Sequence, residues 1–274
     1  MSVISFLSEG DSEGIVTGTM AAVATCLALQ KNIKILLMNT KYNDTSLDNC
    51  FWDLRGENSK LSFKSSDKIE IDSGIKGLSK AVLSNKTSPE LIANYTRTIF
   101  KDRLEIISDK KVLREEYEKE KKTFREIIKM AKQHYDFVFV NIEGDVNDNI
   151  VYGMLEESDL FLINLSQRIP KIEEYMKTRQ KSELLNNENK MIIINRHDGH
   201  SKYNVRNLMK YMKERDLFAV PYNTLFFEAC NEGKVADFFI KFRKISSTNV
   251  NASFMNAIEK ITGHILIKLN MLKR

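Results

Sequence analysis

A glycine-rich loop lies between the first apolar run of the sequence and an apolar helical stretch. The loop reads SEGDSEGIVTGT from Ser8 to Thr19, and Gly10, Gly14 and Gly18 recur in it at every fourth position. Glycines allow the tight turn and the close backbone approach that a phosphate group needs. A helix beginning near Gly18 presents free N–H groups and a positive dipole end to an anion. The loop therefore predicts a phosphate-binding turn; the alternative is that the glycines serve only the strand-to-helix turn.

The charges of this loop are unfavourable for a triphosphate. Phosphate-binding loops of this type surround the phosphates with backbone N–H groups and a lysine, while a hydroxyl holds Mg²⁺. Met1 to Gln30 contains no lysine or arginine, and the loop carries Glu9, Asp11 and Glu13 instead. At an effective dielectric constant of about 20, two like charges about 5 Å apart repel by about 3 kcal/mol. The sequence therefore predicts that this loop binds a Mg²⁺-bound triphosphate weakly or not at all.

Short apolar runs alternate with helical stretches along the chain. The runs of strand length are Val3 to Leu7, Lys34 to Asn39, Leu104 to Ser108, Phe137 to Ile142, Leu160 to Leu165, Met191 to Asn195 and Phe218 to Val220. The helical stretches are Thr19 to Leu29, Glu115 to His134, Ile169 to Leu184, Asn204 to Lys213 and Asn251 to Leu272. This alternation predicts an α/β fold with a doubly wound, mostly parallel sheet, helices on both faces and a site at the carboxyl ends of the strands.

Composition and length indicate one globular domain, 1–274. The hydrophobic fraction of 42% supports a sizeable core and excludes disorder as the main state, and no Pro/Gly-rich linker divides the chain. The polar segment Tyr42 to Ser79 is a candidate insertion near the site. Three scattered cysteines, without metal-finger spacing, and the lack of a signal-peptide pattern lead us to expect a reducing, cytoplasmic location. A net charge of +5 allows nucleic acid or an anionic membrane as a partner without requiring either.

The order of these segments resembles the ParA/MinD family of deviant P-loop ATPases, of the SIMIBI/MinD type. The segments that carry the resemblance are KILLMN, YDFVFVNIEG, SDLFLINLSQ, MIIINR and VPYNTLFFEACNEGK, within Val3 to Phe239. The last of them is also similar to the TadZ/CpaE-like branch of pilus-localising proteins, whose nucleotide loops are often altered. The resemblance implies a P-loop NTPase-like fold and a nucleotide site.

Several family positions are altered in this chain. The resemblance places Thr17 where the P-loop lysine stands, followed by Gly18 and by Thr19, which offers a hydroxyl. Asn39 takes the place of the aspartate that positions the attacking water, and Asn141 takes the place of the aspartate that binds Mg²⁺. A neutral amide lacks the charge that a hard cation prefers. Glu143, two residues further on, is an alternative ligand for the cation.

Other family positions are retained. Asn195 and Arg196 match the position where an asparagine reads the adenine edge, and Pro221 matches a residue of the base pocket. Together with Gly14 and the altered positions, these residues form the candidate nucleotide site. We identify no catalytic residue and no set of metal ligands in the sequence.

The resemblance implies a homodimer that acts as a pseudo-ATPase, a scaffold or positioning factor for a pilus- or secretion-type assembly with a protein partner. Two alternatives stay open. One is an ATP-dependent, ParA-type partition protein that binds non-specific DNA, for which late basic residues such as Lys241, Arg243 and Lys244 are candidates. The other is a MinD-like factor recruited to the membrane or a pole through the final helix. The apolar stripe of that helix fits membrane binding or packing on the protein's own core, and it consists of Phe254, Ile258, Ile261, Ile265, Leu269 and Leu272.

Overall fold

A central eight-stranded sheet organises the computed structural model, which describes residues 1–8, 14–53, 74–108, 112–186 and 188–272. The strands are β1 (Ser2–Ser8), β2 (Ile35–Asn39), β3 (Arg97–Phe100), β4 (Leu104–Ile107), β5 (Phe137–Asn141), β6 (Leu160–Ser166), β7 (Lys190–His197) and β8 (Leu217–Pro221). Their spatial order is β3-β4-β2-β5-β1-β6-β7-β8. Neighbouring strands are parallel, except that β3 runs antiparallel to β4. The predicted doubly wound, mostly parallel sheet is confirmed.

Helices cover both faces of this sheet. They are α1 (Ile15–Gln30), α2 (Ser46–Asn49), α3 (Gly74–Leu83), α4 (Arg114–Lys121), α5 (Phe124–His134), α6 (Asn149–Glu156), α7 (Ile169–Lys181), α8 (Glu183–Asn186), α9 (Val205–Met212), α10 (Thr224–Glu232), α11 (Val235–Phe242) and α12 (Ala252–Leu272), with a 3-10 helix at Pro89–Tyr95. Alternate residues of β2 serve two cores: Ile35 and Leu37 pack in one buried cluster, and Leu36 and Met38 in the other. Strands buried on both faces explain the almost purely apolar runs of the sequence.

Helix α1 is buried all round, as the composition of Thr19 to Leu29 predicts. Every residue from Val16 to Ala28 is buried. The helix lies between the sheet and the late helices α11 and α12. These contacts hold the first turn of α1, next to the loop, in a fixed position relative to the sheet and the carboxyl-terminal helices.

Some predicted boundaries are wrong. The predicted helix Glu115 to His134 is two helices, because α4 ends at Lys121 and α5 begins at Phe124. The Thr123 hydroxyl donates to the Glu120 carbonyl at 2.7 Å, and a local bond of this kind competes with continuation of the helix. The predicted helix Ile169 to Leu184 likewise ends at Lys181, and the short α8 follows.

The polar segment Tyr42 to Ser79 has structure at both ends. Residues 42–53 include α2, and Asp48 of that helix is buried. Residues 74–79 belong to α3, which the sequence did not reveal. Residues 54–73 of the candidate insertion lie outside the described residues. The sequence also yields no prediction of the edge strand β3. Its four residues are exposed or half-buried, so they do not form an apolar run.

The final helix packs on the protein's own core. Five of the six residues of the apolar stripe, Phe254, Ile258, Ile261, Ile265 and Leu269, are buried against α1 and β8, and the side chain of the sixth, Leu272, lies outside the described part of the chain. The exposed face consists of Ser253, Asn256, Glu259, Lys260, Gly263, Ile267 and Asn270. The face that would enter a lipid surface is thus already occupied. Within the described residues, no helix has the length and apolar character that crossing a membrane requires.

Candidate functional site

Two cavities meet at Gly14, where the loop joins α1. The first has a volume of about 600 Å³ and lies at the carboxyl ends of β1 and β5. Its polar lining includes Ser8, Gly14, Thr17, Lys41, Asp44, Asn141, Glu143, Asp145 and Thr178. The second has a volume of about 310 Å³ and is lined by Gly14, Gly18, Thr19, Asn195, Arg196, Pro221 and side chains of α10. The structure thus divides the predicted site residues into two groups that share Gly14, and Asn39 joins the first group only through its hydrogen bond to Asn141.

Helix α1 begins at Ile15, which corrects the predicted beginning near Gly18. Gly14 has φ +72°, a left-handed conformation that glycine adopts without strain, and it makes the turn into the helix. In a phosphate-binding loop, the lysine and the Mg²⁺-binding hydroxyl follow such a glycine directly. Here Ile15 and Val16 occupy those two positions. Residues 9–13, with Gly10 and the three loop carboxylates, lie outside the described residues.

The Thr17 side chain faces the first cavity. Its hydroxyl donates to the Gly14 carbonyl at 3.2 Å and lies 2.9 Å from the Ser46 hydroxyl. These bonds tie the first turn of α1 to α2. The resemblance puts the missing lysine at Thr17, two residues beyond the position that follows the turn at Gly14, and Thr17 offers a hydroxyl to this cavity but no positive charge.

Asn39 and Asn141 form a pair of amides at the ends of β2 and β5. Asn141 Nδ2 donates to Asn39 Oδ1 at 2.9 Å, and Asn39 Nδ2 donates to the Asp44 carbonyl at 3.2 Å. Asn141 lines the first cavity and is 6% exposed. Two carboxylates in direct contact would repel each other, whereas one amide donates a hydrogen bond to the other. The pair is thus a hydrogen-bonded connection between strands, and its oxygens are not arranged as anionic ligands for a cation.

Lys41 brings a positive charge to the first cavity that sequence reasoning missed. Its Nζ lies 3.2 Å from Glu143 Oε1. The parallel register pairs Asn39 with Asn141, and Lys41 and Glu143 each follow that pair by two residues. The sequence feature that could have revealed Lys41 and Glu143 is that each follows, by two residues, an asparagine at the end of an apolar strand. Asp44 and Asp145 also line the cavity, so its described lining carries more carboxylates than ammonium groups.

Thr19 belongs to the second cavity, which separates it from Thr17. The Thr19 hydroxyl donates to Asn195 Oδ1 at 2.7 Å, and Asn195 Nδ2 donates to Asn164 Oδ1 at 3.0 Å. Asn164 in turn donates to the Leu162 carbonyl at 3.0 Å. All three side chains are buried. These hydrogen bonds connect α1 to β7 and β6. Both the oxygen and the nitrogen of the Asn195 amide therefore have hydrogen-bond partners within the protein.

The wall of the second cavity is aromatic. Phe226 of α10 stacks on Phe254 with ring centroids 4.5 Å apart, and its ring lies close to Gly18. Arg196, with φ +50°, places its guanidinium 5.8 Å from the Phe227 ring centroid. Tyr222, at the rim, is 53% exposed. An apolar cavity with a few polar groups is suited to a flat ring.

The architecture of this chain occurs in known protein structures. No protein-family model matches the sequence, and curated proteins give no significant match. A ParA family ATPase from Chlorobium tepidum has the same architecture, with a TM-score of 0.72 and 16% identity over 96% of this chain and 98% of that one. The chain has the ParA/MinD fold. The predicted resemblance is therefore confirmed at the level of the fold.

Two MinD structures extend the comparison. MinD from Pyrococcus horikoshii, complexed with Mg-ADP, gives a TM-score of 0.66 at 17% identity, over 98% of this chain and 99% of that one. MinD in a MinC:MinD complex from Aquifex aeolicus gives 0.65 at 18% identity, over 97% and 96%. The ParA/MinD fold thus occurs with a bound nucleotide in one of these proteins and with a protein partner in the other.

Proposed function

We propose that this chain is a non-hydrolysing or weakly active ParA/MinD-like protein, which acts as a positioning or scaffold factor for a larger assembly. The observation that carries the proposal is the charge of the first cavity. Lys41 is the one lysine or arginine among its described lining residues, and its ammonium is already paired with Glu143. Asp44 and Asp145 add further negative charge to the same cavity. This lining fits a Mg²⁺-bound triphosphate poorly.

The amide pair supports the same proposal. A hydrolytic site of this fold class needs a cation ligand and a group that orients the attacking water. Asn39 and Asn141 bond to each other and carry no negative charge. Glu143, the alternative cation ligand, is held by Lys41. We therefore propose no catalytic step for this site, and we expect ATP and Mg²⁺ to bind it weakly or not at all.

The proposed partner is a protein of a pilus- or secretion-type assembly, as in the TadZ-like branch that the late segment resembles. The MinC:MinD complex is an instance of this fold bound to another protein. We propose a homodimer whose association does not depend on ATP, because the first 30 residues contain no lysine or arginine that could bind a nucleotide at the loop. Recruitment to the membrane or a pole would then depend on the partner, since the apolar stripe of α12 is buried.

Calorimetric titration of Mg-ATP into the purified chain, with light scattering before and after, tests this proposal. We expect no binding heat at micromolar nucleotide and the same dimer mass with and without it. A monomer that dimerises only with Mg-ATP contradicts the ATP-independent scaffold. Micromolar binding together with phosphate release contradicts the loss of the ATPase.

A second candidate function is ATP-dependent partition with binding to non-specific DNA, and Lys41 is the observation that favours it. This class requires a cation that enters the site from outside the loop, and Lys41 lies in the first cavity. The partition function predicts salt-sensitive binding of the chain to duplex DNA of arbitrary sequence. This binding should strengthen with Mg-ATP and be lost in Lys41→Met. Lys129→Met is a matched control, because this lysine is also paired with a glutamate, Glu126, and lines neither cavity.

A further inference from the structure

Two of the three cysteines lie in the wall of the second cavity. Cys50 follows α2 and is 2% exposed, and Cys230 belongs to α10 and is half-buried. Both side chains line the same cavity. A hydrogen bond with Cys230, together with burial, raises the pKa of the Cys50 thiol well above its usual value. The two thiols therefore share one cavity wall, although the residues are far apart in sequence.

The backbone segments that carry these thiols are held against each other. The Val235 amide, which follows α10, donates to the Cys50 carbonyl at 3.0 Å. At Gly233, the left-handed turn that ends α10 packs so closely on Trp52 that a Cβ atom would lie 2.3 Å from its carbonyl carbon. The approach of α10 to the end of α2 is thus fixed by backbone contacts.

We propose that Cys50 and Cys230 form a reversible disulfide, which makes this cavity wall a site of oxidative modification. The oxidant is a low-molecular-weight disulfide of the glutathione type. The Cys230 thiolate attacks one of its sulfurs, forms a mixed disulfide and releases one glutathione thiolate. The Cys50 thiolate then attacks Cys230 Sγ, and the second glutathione thiolate leaves. The two cysteines lose two electrons and two protons, and the glutathione disulfide gains both.

The order of attack follows from exposure. Cys230 Sγ is accessible from the cavity and lies 3.7 Å from the position of a Cβ on Gly18, so a small reagent reaches it first. Cys50 is buried, and its S–H group donates to the Ser46 carbonyl at 3.3 Å. Cys50 is then the resolving thiol for the mixed disulfide.

Formation of the bond would join the two sides of the second cavity. Ser46 and Asn49 of the α2 segment form one side, and Phe226 and Asn231 of α10 form the other. A covalent link between them fixes the width of the cavity. Since a cytosolic disulfide is typically transient and regulatory, such a link suits a response to oxidants better than a permanent structural role.

Oxidation of the purified full chain with excess oxidised glutathione tests the proposal. Free thiols are counted in the unfolded chain before and after, and a digest is searched by mass spectrometry for the Cys50–Cys230 link. We expect three thiols to fall to one, the link to be present, and dithiothreitol to restore all three. Cys26→Ser is the matched control and should still form the link, because Cys26 is buried in the core beside Thr262.

The contrary results are equally specific. Three thiols that survive oxidation, glutathione that stays on Cys230, or a link that includes Cys26 would each overturn the proposal. Cys230→Ser should give a chain without an intramolecular link, and a circular dichroism spectrum checks that it folds. The assay contains no nucleotide, so its outcome is independent of whether the first cavity binds ATP.

Discussion

Lys41 Nζ lies 3.2 Å from Glu143 Oε1 at the mouth of the first cavity, and the pairing of Asn39 with Asn141 in the neighbouring strands places both residues there. In a parallel sheet, residues at equal offsets beyond a register pair leave the sheet at the same edge. The ion pair therefore results from the topology of β2 and β5. An anionic ligand that enters this cavity has to compete with Glu143 for the lysine.

Glu143→Gln should tighten the binding of pyrophosphate. The substitution removes a negative charge and releases Lys41, and a partly exposed ion pair is worth up to about 1 kcal/mol, which corresponds to an affinity gain of about two- to five-fold. Lys41→Met should weaken binding to a similar degree. Calorimetry at low ionic strength measures both changes.

The control for this pair is Glu156→Gln, whose carboxylate contacts Arg125 outside both cavities. It should leave pyrophosphate binding unchanged. An equal gain in Glu143→Gln and Glu156→Gln would show that net charge alone sets the affinity. No change in either cavity variant would remove Lys41 from the site.

Thr19→Val should destabilise the fold by about 1–3 kcal/mol, the usual cost of leaving a buried polar group without its partner. The Thr19 hydroxyl donates to Asn195 Oδ1, and loss of the hydroxyl leaves that buried oxygen unpaired. Urea denaturation measures the free energy of unfolding. Thr248→Val is the control, because Thr248 is exposed, and it should change stability by less than about 0.5 kcal/mol. Equal effects of the two substitutions would contradict a structural role for the Thr19–Asn195 bond.

The sheet could be predicted from the sequence because each buried strand leaves an apolar run of its own. β5, for example, is buried at all five positions and reads FVFVN. The edge strand β3 left no such run, since its residues are only partly buried. The split of Glu115 to His134 depends on one local bond of Thr123, which periodicity cannot reveal.

The candidate site was only partly predictable for a different reason. Glycine spacing indicated a tight turn between Gly10 and Gly18, but the exact beginning of α1 depends on which glycine adopts positive φ, and this is Gly14. Thr17 and Thr19 are two residues apart, and on a helix this spacing turns their side chains toward different cavities. Lys41 was missed because its importance comes from strand register, which connects residues far apart in sequence.

Asp216 should make the stability of the chain depend on acidic pH. Burial opposes ionisation of this carboxylate, but Lys268 and His264 of α12 lower its pKa below the usual value. Since the pKa in the folded state is lower than in the unfolded state, the stabilisation is fully present above the unfolded value. It is lost as the pH falls through the folded value.

Asp216→Asn should therefore lower the free energy of unfolding at pH 7, by about 1 kcal/mol for a partly exposed pair. Urea denaturation at a series of pH values from 7 downward compares the two proteins. The difference should stay constant to about pH 5 and shrink below about pH 4. Glu259→Gln, an exposed change on the same helix, should follow the wild type. A difference that persists unchanged at the acidic end would contradict the assignment.

Ile261→Ala and Ile267→Ala should separate the core role of α12 from a role at a membrane surface. Ile261 is fully buried and Ile267 is 50% exposed on the same helix. Loss of the buried side chain should cost about 2–5 kcal/mol, and loss of the exposed one less than about 0.5 kcal/mol. Flotation with vesicles that contain anionic lipid completes the comparison, and we expect no bound wild-type protein. One contrary result is a wild type that floats with the vesicles and an Ile261→Ala variant that is fully stable but does not float. The apolar stripe would then bind lipid and would not belong to the core. A wild type that floats and an Ile267→Ala variant that does not would instead assign membrane contact to the exposed face.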